Sequence, residues 1–448
     1  EEIPAQGTTC SHPSRLLPGS SSASHLAMMR LLVFQVFLWA SASPTPDPYP
    51  SAGCNIAVPK WLKIGGLAAT GHLPVDDPFL FGKKRSYRYF IPVSYAGDQA
   101  LPLVFDFHGY YDSATSEAHE DAVMQHAGTY NFIAVFPRAW ADYPKDDKWG
   151  SAGWGGPGLD GNYGKYGPVC REDYSGKYTC YKSCEALGRC GKSMTKDFRD
   201  CHSGPCVDDD QYANVMFKHI IEHWCIDRSR VHATGMSAGA VYLYGLLGRS
   251  HAGQFGSSLA SAVLVEGSVQ LGFLHTPDGP TAIMDIHGTR DRTVPANVSN
   301  SWKNTECPVK SVGRHGCTVS DDLFFYTPLS EILGVWGVGN NCSDPRSLLS
   351  LDAGPGGDYV HYPTQPRFDG LGDFWCASRS IASGCMAPVV WCTHDGKHDW
   401  PWSPDEKRPK PFIPHHHVLF AKLMWWFMSQ HRRSDFLSPA ELDQIALI

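Results

Sequence analysis

The run Val231-His232-Ala233-Thr234-Gly235-Met236-Ser237-Ala238-Gly239-Ala240 decides the reading of this chain. A short apolar, β-branched stretch, Val231 to Thr234, meets a Gly-x-Ser-x-Gly turn, and an apolar segment, Ala240 to Leu247, follows at once. Small residues on both sides of Ser237 let the backbone turn sharply from strand to helix. The serine hydroxyl is then exposed at the strand end, with the N-terminus of the next helix beneath it, which is a nucleophile elbow. The pentapeptide alone is weakly specific in a chain with 44 glycines; its setting between a strand and a helix carries the reading.

Working outward, Tyr89 to Val93, Leu101 to Phe107, Phe132 to Phe136, Ala262 to Glu266, Thr281 to His287 and Val389 to Thr393 also read as strands. Leu101 to Phe107 and Phe132 to Phe136 are nearly continuous apolar runs, as expected where helices cover both faces of a parallel sheet. Ala118 to Ala127 and Asp209 to His223 read as helices, the second with Tyr212, Val215, Met216, Ile220 and Ile221 spaced along one face. His417 to His431 reads as an apolar core helix, and His415-His416-His417 at its start as a solvated run rather than a metal site. The fold class is therefore α/β, with a doubly wound, mostly parallel sheet.

Residues 160–206 interrupt this rhythm with Cys170, Cys180, Cys184, Cys190, Cys201 and Cys206 among polar residues. Their spacings match no paired zinc pattern, so a disulfide-rich insertion is the better reading, with its connectivity open. Near the start, the short apolar run Leu31 to Trp39 follows Met28-Met29-Arg30 and precedes Ala40-Ser41-Ala42. That is a secretory signal, about half the roughly 20 residues that a spanning helix requires. The expected organisation is upstream sequence in 1–28, a signal peptide in 29–42, a Pro-rich linker in 43–60, the catalytic domain in 61–435 with its insertion, and a tail in 436–448. Cleavage after Ala42 removes Cys10 from the 15 cysteines and leaves an even number, which suits an oxidising, extracellular compartment. Asn297-Val298-Ser299 and Asn341-Cys342-Ser343 are N-glycosylation patterns that suit the same route. A net charge of -7 offers no basic field for nucleic acid, and no membrane partner is expected after signal cleavage.

A serine hydroxyl needs a base to take its proton and a carboxylate to orient that base. In the order serine, acid, histidine, Asp291 follows the strand Thr281 to His287, whereas Asp285 lies inside the strand and Asp321 and Asp322 lie in a polar turn. After the last strand, His398 sits beyond Gly396 with enough chain to reach Ser237, while His394 at the strand end reads as structural. Charge developing on a carbonyl oxygen needs preset donors; the backbone N–H of Ala238 supplies one, and that of Tyr110, in the turn His108-Gly109-Tyr110-Tyr111, is the candidate for the second. Trp400 and Trp402, with Tyr110 and Tyr111 opposite, are candidate pocket walls or equally packing residues. No metal or organic cofactor is required.

Four blocks carry a family resemblance: Asp106-Phe107-His108-Gly109-Tyr110; Val207-Asp208-Asp209 through Ile226-Asp227-Arg228-Ser229-Arg230-Val231 to the elbow; His287-Gly288-Thr289-Arg290-Asp291; and His398-Asp399-Trp400-Pro401. In these the chain resembles the secreted polyhydroxybutyrate depolymerase and feruloyl esterase group of the α/β-hydrolase superfamily. The resemblance implies an α/β-hydrolase fold, a triad of Ser237, Asp291 and His398, and an ester substrate, either a polysaccharide-linked aryl ester or a polyester. The chain departs from the family in carrying Gly396-Lys397 where Gly-Gly is usual, and in its larger insertion, which leaves substrate choice open. The expected function is a secreted serine carboxylester hydrolase. A catalytically silent recognition module and a serine peptidase on the same fold are the rivals.

Overall fold

Thirteen strands and seven helices order the described residues of the computed structural model. These residues are 49–433, apart from 70–72, 76, 78–79, 81–83, 142–151, 162, 172–180, 190–200, 298–306, 308–315, 344–374, 380–383, 395 and 401–417. The proposed upstream segment, signal and tail, with Cys180, Cys190, Trp402 and the His415 to His417 run, lie outside them.

The strands are β1 (Ala68–Ala69), β2 (Tyr87–Phe90), β3 (Leu101–Phe107), β4 (Ile133–Pro137), β5 (Tyr163–Gly164), β6 (Gly167–Pro168), β7 (Ile226–Met236), β8 (Ser261–Val265), β9 (Ala282–Gly288), β10 (Thr318–Val319), β11 (Phe325–Tyr326), β12 (Trp375–Arg379) and β13 (Val389–His394). Nine of them form one sheet in the order β1-β2-β4-β3-β7-β8-β9-β13-β12. The six strands from β4 to β13 run parallel, while β1, β2 and β12 join antiparallel at the edges. This is the doubly wound, mostly parallel sheet expected of the α/β class.

Period-two alternation along the strands splits the interior into two cores. Leu103, Phe105 and Phe107 of β3, Val231 and Ala233 of β7, and Ala262 and Leu264 of β8 face one side. There they meet the helices α4 (Asp209–His223), α5 (Ala238–Arg249) and α6 (Leu329–Gly339). Val104, Val263, Val265, Met284, Ile286, Val390 and Cys392 face the other. That side is covered by α1 (Ala114–Glu120), α2 (Val123–Tyr130) and α7 (Val418–Met428). Truncating a core aromatic such as Phe105 in such packing costs about 3–5 kcal/mol.

Helix α4 keeps the bounds expected from its pattern because its first turn is well capped: Asp208 accepts from the Gln211 N–H, and Asp209 and Asp210 sit at the positive end of the dipole. Tyr212, Met216 and Ile220 are buried, whereas Val215 and Ile221 lie at the edge of that face. The single helix expected over Ala118 to Ala127 is instead two. Ala122 takes a left-handed backbone, φ 64°, which ends α1 and starts α2. Strand β2 begins two residues earlier than expected and stops at Phe90, and β7 runs from Ile226 rather than Val231 because β3 continues to pair with it through Leu101.

The insertion is a stapled unit. Cys170 pairs with Cys201 and Cys184 with Cys206, around a short helix, α3 (Lys182–Ala186). Cys54–Cys225, Cys307–Cys317, Cys342–Cys385 and Cys376–Cys392 add four further disulfides. No helix among the described residues is long and apolar enough to cross a membrane.

Candidate active site

Four parallel strands, β3, β7, β9 and β13, end at one edge of the sheet, where open α/β sheets hold their ligands. At the end of β7, Ser237 takes φ 54° and ψ −121°, a strained conformation for a residue with a Cβ. The bond from its N–H to the Val265 carbonyl, 2.9 Å, fixes it in place. The elbow glycines have a steric cause. A Cβ on Gly239 would lie 2.0 Å from the Phe107 carbonyl oxygen, and one on Gly235 2.9 Å from it, so only glycine lets α5 start against the end of β3.

The loops after β9 and β13 meet because their strands pair in parallel register, Gly288 opposite His394. Arg290 N–H donates to the Gly396 carbonyl at 2.8 Å, and Thr289 N–H to the His394 carbonyl at 2.8 Å. The loops touch so closely that a Cβ on Gly288 would fall 2.6 Å from the Lys397 carbonyl oxygen. Lys397, where the resemblance expects glycine, is exposed. His398 emerges from this joint 17% exposed, with Nε2 2.8 Å from Ser237 Oγ and Nδ1 2.8 Å from Asp291 Oδ2. Asp291 Oδ1 accepts from the N–H groups of Thr293, 2.7 Å, and Val294, 3.0 Å. Burial opposes charge on Asp291, but His398, together with hydrogen bonds from His287 and His398, holds its carboxyl well below the usual carboxylate range.

Behind Asp291 lies a buried network that the sequence reading did not assign. His287 Nε2 donates to the Val294 carbonyl at 2.7 Å and lies 3.4 Å from Asp291 Oδ2, while its Nδ1 lies 3.4 Å from Asp285 Oδ1. Both ring nitrogens thus face acceptors, the pattern of an imidazolium. Burial works against that charge, but the hydrogen bonds to Asp285 and Asp291 and the charge of Glu266 raise the His287 pKa well above its ordinary value. Glu266 accepts from Gly288 N–H at 2.8 Å and from His394 Nε2 at 2.7 Å, so His394 is a partner of this network and not of Ser237. Asp285 Oδ2 accepts from Tyr244 at 2.7 Å. The available signal was the placing of ionisable residues at the ends of apolar, doubly covered strands, where only paired charges persist.

On the opposite side of the elbow, the turn after β3 is set by His108. Ala139 N–H donates to its Nε2 at 3.1 Å, so Nδ1 carries the proton and donates to the Gly109 carbonyl at 2.8 Å. A Cβ on Gly109 would stand 3.6 Å from the Ser237 Cβ, which brings the turn bearing Tyr110 beside the serine. The Ala238 N–H is the first of α5 and has no partner within the helix. Tyr181 of the insertion donates its hydroxyl to that of Tyr110 at 2.9 Å, tying the insertion to this turn. Tyr111, half exposed and left-handed at φ 62°, packs beside Tyr110 with the rings tilted at 59° and their centroids 4.1 Å apart. Trp400 is 4% exposed and packs on Phe420 of α7, so among the described residues its indole belongs to the core.

Fold and site together define the class, an α/β protein with a serine, an imidazole and a carboxylate in one hydrogen-bonded chain at the end of its parallel sheet. No family model matches the sequence. No curated protein matches it either. Solved structures do. An acetyl xylan esterase from Aspergillus awamori is 14% identical with a TM-score of 0.30, over 52% of this chain and 75% of that one. A ferulic acid esterase from Anaeromyces mucronatus is 14% identical with a TM-score of 0.31, over 53% and 77%. A fluorophosphonate-binding serine hydrolase from Staphylococcus aureus is 10% identical with a TM-score of 0.28, over 51% and 81%. The chemistry of the present chain follows from its own side chains.

Proposed function

We propose that the protein is a secreted serine carboxylester hydrolase that works through an acyl-enzyme. Ser237 attacks the ester carbonyl as His398 takes its proton. Asp291 orients His398 and balances the imidazolium, and the N–H groups of Ala238 and Tyr110 receive the developing oxyanion. His398 then returns the proton to the leaving alcohol, and water repeats the sequence to release the acid. The observation that carries this reading is the pair of 2.8 Å contacts through His398, which join three residues distant in sequence. The proposed substrates are aryl esters on polysaccharide or aliphatic polyesters, with Tyr111 at the rim of the site. Secretion is supported by six disulfides among the described residues, which persist in oxidising compartments. Asn341, one of the two glycosylation candidates, is exposed.

The test is hydrolysis of a p-nitrophenyl short-chain ester, methyl ferulate and a hydroxybutyrate oligomer by the protein and by Ser237→Ala. The variant is expected to keep its fold and lose at least about a thousandfold in rate. Folded protein with no turnover of any ester would instead favour a silent recognition module, and cleavage of peptides alone a peptidase.

A further inference from the structure

The start of α1, next to the Tyr110 turn, gathers carboxylates that have no ester chemistry to do. One ligand oxygen from each of Asp112, Glu117 and Glu120 lies within 4.8 Å of the other two. Two ligands on opposite sides of one Ca²⁺, each at about 2.3–2.6 Å, stand about that far apart. Glu117 is 1% exposed, and its Oε1 has no hydrogen-bond partner. Asp106 of β3 and Asp121 lie just beneath, both fully buried, with their carboxyl groups against one another. None of Asp106, Asp112, Glu117 and Asp121 forms a salt bridge to a lysine, arginine or histidine among the described residues. Carboxylates concentrated in this way can close their charge by sharing protons, Glu117 with Asp112 and Asp106 with Asp121, or by holding a cation.

We propose that Asp112, Glu117 and Glu120 form a Ca²⁺ site at the base of the turn that carries Tyr110 and Tyr111. The geometry favours the cation over shared protons at Glu117, because an oxygen from each of three side chains lies within 4.8 Å of the other two, Glu120 also accepting from the Ser116 hydroxyl, and a single proton bridges only two. The donor set is all oxygen, which suits a hard ion. Asp112 and Glu120 are partly exposed, which leaves the remaining coordination positions open to water. Three carboxylates at a partly open site match the affinity of extracellular calcium modules, about 10⁻⁴–10⁻³ M. Asp112 is also the last residue of the turn, its N–H donating to the Gly109 carbonyl at 3.4 Å, so the ion ties that turn to the first two turns of α1. Binding stands apart from the esterase reading and is tested without turnover.

The experiment uses the full chain, stripped with EGTA and returned to CaCl₂ or MgCl₂, followed by thermal unfolding and by Tb³⁺ luminescence with Ca²⁺ competition. The wild type is expected to gain about 2–5 °C in 10 mM Ca²⁺ and to bind one Tb³⁺ that Ca²⁺ displaces. Asp112→Asn and Glu117→Gln should each weaken that binding at least about tenfold. Asp112, being partly exposed, keeps the test decisive should Glu117→Gln fail to fold. An absent response in the wild type, an equal response to Mg²⁺, or undiminished Ca²⁺ binding in Asp112→Asn would each overturn the proposal.

Discussion

Two groups of carboxylates flank the nucleophile elbow, and they are built in opposite ways. On the side of β9 and β13, Asp285, Glu266 and Asp291 are buried among imidazoles, His287, His394 and His398. On the side of β3 and α1, Asp106, Asp112, Glu117 and Asp121 meet chiefly one another. Elsewhere in the molecule, buried acids follow the first plan: Asp209 pairs with Arg85, and Asp227 with Arg230 and Arg432. The contrast teaches that the charge needed beside Ser237 is held by fixed cations of the fold. The second group has no such salt bridge among the described residues, and under the proposal above a bound cation supplies its charge.

The sharpest way to break the comparison is at His287. His287→Asn leaves Asp285, Glu266 and Asp291 without their central cation, and removing one member of a buried charge cluster costs about 3–5 kcal/mol. Urea unfolding is expected to show that loss, with a fall in kcat that exceeds any change in KM, because Asp291 no longer holds His398 in place. Stability unchanged in His287→Asn would mean that the ring is neutral and the cluster is closed by shared protons.

The second group gives an opposite sign. Burial and neighbouring carboxylates push Glu117 and Asp106 well above their ordinary values, so on folding these groups take up protons. A raised carboxyl contributes stability below its unfolded value, about 4, and loses it as pH rises through the folded value. In calcium-free solution, stability should therefore fall as pH rises above the ordinary carboxyl value, about 4, and Glu117→Gln should flatten that slope. A slope equal in variant and wild type, measured by urea midpoints across pH, would remove Glu117 from the effect. The smallest change is Tyr181→Phe, which deletes the hydroxyl contact between the insertion and Tyr110. It should cost about 0.5–1.5 kcal/mol and leave the elbow untouched, so that kcat on a small ester changes less than it does in His287→Asn.

How far each region was legible follows from the range of its interactions. The elbow, the acid loop and the histidine loop could be placed because each is a local pattern at the end of an apolar strand; position after the strand ranked Asp291 over Asp285, and reach beyond Gly396 ranked His398 over His394. Helix α4 was legible from the spacing of its buried face. The break at Ala122 was not, because an alanine with positive φ has no sequence signature. His287 and Glu266 were visible only as strand residues; their partnership spans separate strands and depends on the register of β8 against β9. Trp400 could not be separated from a pocket wall without knowing that α7 packs over it.

The central claim is that Ser237 is an activated nucleophile, and covalent labelling tests it most directly. Folded protein treated with a fluorophosphonate probe should carry one adduct, located by peptide mass spectrometry at Ser237, and Ser237→Ala should carry none. Folded wild type that stays unlabelled, or that is labelled at another serine, would contradict the account.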